Sequence, residues 1–306
     1  MKKVLILFSI ICIIFGFSGL SLANAESEMN LNVISLDGYT NYKIYDNSLT
    51  WKSLLEFPLD TKLLSLEYKY LSDIDILFSN TNKKMPFYFN YQINIKDEND
   101  KKFKDSDWLS ANFNEDPIIY AEAKSKLDVS IIELNTIFYN NSFDEDSSMN
   151  LGLGYENKKY DFVAYDAFID DNYNNVTSYI EGNVIKYNVE YKIPYVLANY
   201  KNEYKSINYN FGLKYSPLVT AKDWDYHILR DKTSESETDG TMFSYNIGIT
   251  NQIKTNWLFR FDYENTSIDT IGTQTQIFSD GTEITDITSE IFMDSSEFTF
   301  SLVHLF

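Results

Sequence analysis

Apolar and polar side chains alternate one for one along most of this chain. In the last stretch Phe298, Phe300, Leu302, His304 and Phe306 share one face, while Glu297, Thr299, Ser301 and Val303 share the other. Phe243, Tyr245, Ile247 and Ile249 oppose Ser244, Asn246, Gly248 and Thr250, and Trp257, Phe259, Phe261 and Tyr263 oppose Leu258, Arg260, Asp262 and Glu264. The same period runs from Ile207 to Ser216 and from Ile185 to Ile193. A period of two is that of a pleated strand, whose successive side chains point to opposite faces. Breaks at clusters of turn-forming residues predict ten strands, at 30–46, 49–71, 74–103, 117–139, 149–168, 177–204, 207–229, 241–253, 257–277 and 283–306.

An even number of antiparallel strands can close on itself, and aromatic faces set against charged ones suit a wall with lipid outside and a polar lumen inside. After residue 25 no apolar run approaches the length of a membrane helix, so any insertion has to use strands. The expected fold is all-β, a ten-stranded antiparallel transmembrane β-barrel. With both termini on the periplasmic side, short turns are expected at Ser72-Asp73, 140–148, 205–206 and 254–256. Outer loops are expected near 47 and at 104–116, 169–176, 230–240 and 278–282. A tilted strand crosses the hydrocarbon in about 9–11 residues, so strands of this length predict a tall barrel whose rim stands clear of the membrane.

Residues 1–25 read as a signal peptide, with Lys2 and Lys3, an apolar stretch from Val4 to Phe17 and a closing Ala23-Asn24-Ala25; residues 26–306 are then the barrel. The only cysteine, Cys12, lies in the leader, which excludes thiol chemistry and disulfides from the rest. Two histidines, His227 and His304, are too few for a multi-histidine metal site, and no metal is expected. Formal charge is −19, and removing the leader with its two lysines and no acid makes it −21. Nucleic acid is excluded as a partner, whereas cationic peptides or proteins fit an anionic surface.

Two acidic clusters fall where the strand map puts the outer rim. Asp105-Ser106-Asp107-Trp108 follows the third strand, and Asp223-Trp224-Asp225-Tyr226-His227 lies near the end of the seventh. Spacing by two lets Asp105 and Asp107 point together, and likewise Asp223, Asp225 and His227. Strands three and seven are four apart in a ring of ten, so the clusters face each other across the mouth. A water between them can lose a proton to His227 while Asp225 orients the imidazole and the carboxylate pair positions the water. Crowding should raise the proton affinity of one of Asp105 and Asp107. The plain alternative is a set of solvated or calcium-binding loop acids. His304 belongs to the lipid-facing pattern near the periplasmic interface.

These residues resemble the two catalytic half-sites of the omptin family of outer-membrane endopeptidases. Leu55-Glu56-Phe57, Ile193-Pro194-Tyr195 and Gly212-Leu213-Lys214-Tyr215-Ser216 are omptin-like as well. The resemblance implies an omptin-like barrel in a bacterial outer membrane, its active rim extracellular, with Asp105, Asp107, Asp225 and His227 catalytic. It also implies that Asp223 lines a substrate pocket for a basic side chain. The first-strand glutamate that completes that pocket in the family corresponds to Tyr42 here. No cofactor is implied beyond lipopolysaccharide, which stays open because the family's basic lipid-binding residues find no match. The C-terminal aromatic strand resembles the signal read by the barrel-assembly machinery, so that machinery and outer-membrane lipid are the other expected partners. Leu55 to Pro58 and the Asp105 to Trp108 motif are also similar to the protochlamydial outer-membrane proteins, a porin-like group. A non-catalytic porin-like or structural barrel is therefore the alternative.

Overall fold

The computed structural model describes residues 27–46, 48, 50–75, 84–95, 101–109, 116–205 and 207–306, so the expected leader lies outside the described residues. Twelve strand segments pair antiparallel: β1 (Glu28–Tyr45), β2 (Lys52–Pro58), β3 (Thr61–Asp75), β4 (Lys84–Asn94), β5 (Phe103–Trp108), β6 (Ile119–Ser142), β7 (Ser147–Asp171), β8 (Val176–Tyr204), β9 (Ile207–His227), β10 (Lys232–Lys254), β11 (Trp257–Phe278) and β12 (Glu283–Leu305). β1 closes the ring on β12, from Glu28 opposite Leu305 to Tyr45 opposite Thr288. Toward the chain termini, the lower end, β3 and β4 fill the wall between β1 and β6. Toward the other end, the upper one, β2 and β5 take their place. Ten strands thus ring the barrel at either level, and closure leaves no sheet edge to be satisfied in lipid.

The two halves use their faces in opposite ways. Below, Val33, Leu134, Leu153, Phe211, Ile247 and Phe300 stand exposed on the outside, an apolar belt suited to hydrocarbon. Trp257 packs on His304 at 4.5 Å and His304 on Phe306 at 4.4 Å at the foot of that belt. The lumen there is polar, as expected of Arg260, Asp262 and Glu264. Arg260 pairs with Glu67 at 3.0 Å and Asp262 at 2.8 Å, and Lys214 with Glu133 at 3.0 Å and Glu264 at 3.2 Å. These groups line a cavity of about 410 Å³.

Above, the lumen is filled. Phe57 stacks on Tyr187 at 4.2 Å and meets Phe103 at 4.8 Å and Phe162 at 5.0 Å. The hydroxyls of Thr40 on β1 and Tyr191 on β8 meet at 2.6 Å across the ring. Opposite walls that touch through one side chain each are about 10 Å apart, the spacing of packed sheets. The upper barrel is therefore flattened into a sandwich with a core of its own. Gly38 allows β1 to follow this shape: its φ is 141°, and a Cβ there would lie 2.1 Å from the Asp294 carbonyl oxygen.

Four expectations need correction. The apolar face of β8 from Ile185 to Ile193 points inward to this core rather than to lipid. The turn expected at Ser72-Asp73 lies within β3, which continues to Asp75. Residues 232–240, expected in a loop, belong to β10, because polar side chains suffice on a strand that stands above the membrane. Asp105 and Asp107 sit inside β5 rather than in a loop. Because Phe57 joins four strands' aromatic rings, Phe57→Ala is expected to cost about 3–5 kcal/mol, read as an earlier unfolding transition in detergent micelles.

Candidate active site

The lower part of β9 sends its odd-numbered side chains outward: Tyr215 is 47% exposed. Unbroken alternation would send Asp225 and His227 the same way, yet they are 0% and 8% exposed. The cause is a bulge. Gly240 pairs with Val219 and Met242 with Ser216, so Pro217 and Leu218 stand together opposite Thr241. The ladder to β8 shifts at the same level, between Lys192 and Val196. One extra residue exchanges the two faces of all that follows. Pro217 suits the place, since it has no N–H to give a ladder, and the Leu218 N–H is held by Ser216 Oγ at 3.2 Å.

Above the bulge, Val219, Ala221, Asp223, Asp225 and His227 all face the interior. His227 Nε2 lies 2.8 Å from Asp225 Oδ2, and the Tyr42 hydroxyl donates to the same oxygen at 2.7 Å. Asp225 Oδ1 is buried and accepts nothing from the described residues. A neutral imidazole that donates through Nε2 presents its other nitrogen as a base.

β5 brings up the other cluster. Asp105 stands in register with Leu55 and Ala121, both inward-facing. Burial first, and the neighbouring Asp107 next, raise the Asp105 carboxyl to about 7, while His227 and Arg230 oppose the rise. Asp107, His227, Arg230 and Asp225 are the charges that bear on Asp105, so β5 brings that carboxyl within electrostatic reach of the end of β9. Asp105 Oδ1 is buried and has no donor among the described residues.

Asp223 lies deeper. Burial raises its carboxyl to about 7, and hydrogen bonding from Ser236 and Tyr187 opposes the rise. Tyr42 stacks on Tyr187 at 5.4 Å beside it, so the floor of the mouth is aromatic and the acid there is held away from charge.

Three participants escape a reading by motif. Tyr42 enters the sequence argument only as a departure, yet it touches Asp225. Arg230, in the turn after β9, and Lys232, in register with His227, bring positive charge to the acids. Burial pulls the Lys232 ammonium below its ordinary value. The signal for both was the brevity of the turn, which brings the chain straight back onto His227.

The omptin family model matches residues 73–298. The outer membrane protease OmpT from Escherichia coli has a similar fold, with a TM-score of 0.78 at 14% identity, over 92% of this chain and 97% of that one. The translocator domain of autotransporter NalP from Neisseria meningitidis aligns at 6% identity over 94% and 91%, with a TM-score of 0.40. The outer membrane protein OprG from Pseudomonas aeruginosa aligns at 9% over 90% and 95%, with a TM-score of 0.36. No curated protein matches the sequence.

A carboxyl raised on folding holds more protons in the native than in the unfolded state between the two values. Its contribution to stability is complete below the unfolded value of 3.8 and is lost as pH rises through about 7. Asp223→Asn, which has no charge to bury, is therefore expected to be more stable than the parent at pH 8, with the advantage gone at pH 4. Denaturant midpoints in micelles at the two pH values check this.

Proposed function

The chain belongs to the omptin family, and on that premise we propose that it is an outer-membrane endopeptidase, hydrolysing peptide bonds at the extracellular rim with water as the nucleophile. The observation that supports the reading is the Asp225–His227 pair, bonded at 2.8 Å, with the buried Asp105 carboxyl within electrostatic reach of both. The similar fold of the Escherichia coli outer membrane protease agrees with it.

In this reading His227 takes a proton from water as the oxygen attacks the peptide carbonyl carbon, and Asp225 stabilises the imidazolium that forms. The proton passes on to the departing amine when the tetrahedral intermediate collapses. No covalent enzyme intermediate forms. Asp105, its carboxyl raised to about 7, donates toward the substrate oxygen while Asp107 accepts from the water. The anionic chain favours cationic peptides and proteins as substrates. Asp223 contacts the substrate side chain at the floor of the mouth.

His227→Ala is expected to lower peptide cleavage by about 10²–10⁴-fold while the barrel keeps its compact migration in unheated gels; full activity in that variant would sink the assignment. The porin-like alternative requires a continuous water path, and the packed rings of Phe57, Tyr187 and Phe162 lie across it. Planar bilayers containing the protein are expected to show no unitary current steps.

A further inference from the structure

The side chain that fixes Asp225 comes from the opposite wall. Tyr42 projects from β1 and donates to Asp225 Oδ2 at 2.7 Å, the oxygen that His227 Nε2 also reaches, at 2.8 Å. Asp225 Oδ1 has no donor among the described residues, so the two bonds to Oδ2 alone set the carboxylate plane. Tyr42 itself has little freedom. It is 1% exposed, stacks on Tyr187 at 5.4 Å and on Phe57 at 6.5 Å, and its register partners Leu55 and Ile291 are apolar. Burial, and then Asp225, push its phenol far above the usual range; it remains a donor at any working pH.

We propose that Tyr42 is a positioning residue that works through Asp225, holding that carboxylate against His227 and drawing off part of its charge. The inference rests on the functional reading above. A donor on the shared oxygen has two consequences. It keeps the carboxylate from swinging its free oxygen onto the imidazole, so the base nitrogen stays aimed at the water. It also weakens the hold of Asp225 on the imidazolium, which eases release of the proton to the leaving amine. Tyr42 gives its hydroxyl to Asp225 rather than to a substrate, so its effect belongs to kcat rather than KM. Among the described residues, the other titratable or charged groups facing this cluster are Asp105 and Asp107 from β5, Tyr187 from β8, Asp223 from β9, Arg230 from the following turn and Lys232 from β10.

The test compares Tyr42→Phe with Tyr191→Phe. Each keeps its ring and loses one buried hydroxyl, and Tyr191 bonds Thr40 instead of Asp225. Tyr42→Phe is expected to lower kcat roughly tenfold, the kinetic equivalent of one hydrogen bond to a charged group, with KM nearly unchanged. The acid limb of its rate–pH profile should move upward, because Asp225 then holds the imidazolium more tightly. Tyr191→Phe should leave both unchanged. NMR titration of the His227 ring, one of only two histidines, supplies a readout independent of turnover, and its midpoint should rise in Tyr42→Phe alone. Parental rate, profile and titration in Tyr42→Phe, or equal effects in both variants, overturn the proposal. If the parent cleaves nothing, the protease reading fails by itself, and an unmoved His227 titration in Tyr42→Phe still refutes the coupling.

Discussion

A strand offers two faces, and the two ends of this barrel make opposite demands on them. In the belt, apolar side chains go outward to lipid and polar ones line the lumen; above it, apolar side chains turn inward to a packed core. β9 meets both demands by spending one residue. The pair Pro217-Leu218 opposite Thr241 lets Tyr215 face hydrocarbon while Asp225 and His227, on the same parity, face the interior. Without that step the acid and the imidazole would sit on the outer wall, and everything inferred about the mouth would fail with it.

The second support is the flattening of the upper ring. Thr40 bonding Tyr191 and Tyr42 bonding Asp225 require β1 to come within side-chain reach of β8 and β9, which a round cross-section would keep apart. Stacked rings between the walls exclude water, and exclusion of water is what makes the carboxyls of Asp105 and Asp223 reluctant to ionise. Packing and electrostatics at the mouth are thus one effect: the rings that stabilise the sandwich also lower the dielectric around the acids.

The period of two made the strands legible, and their even number made closure legible. What the period does not say is which face is inside. On β8 the run from Ile185 to Ile193 looks the same whether it meets lipid or a core, and only the opposing wall decides. Residues 232–240 look like a loop because Ser234, Glu235, Ser236, Glu237, Thr238 and Asp239 offer no apolar face; as a strand, two of their inward hydroxyls find partners instead, Thr238 with Thr270 at 2.7 Å and Ser236 with Gln274 at 3.2 Å. At the site, spacing by two puts Asp223, Asp225 and His227 on one face of β9, and all three are buried. The reason Asp225 points inward was not legible, since it depends on a register shift whose only local mark is Pro217. The partnership of Tyr42 with Asp225 was not legible either, because 183 residues separate them.

The packed upper core also divides the interior. Among the described residues, aromatic rings form the floor of the mouth. The lower chamber, with its paired charges, lies beneath those rings, so one cylinder holds a polar compartment and an aromatic one end to end.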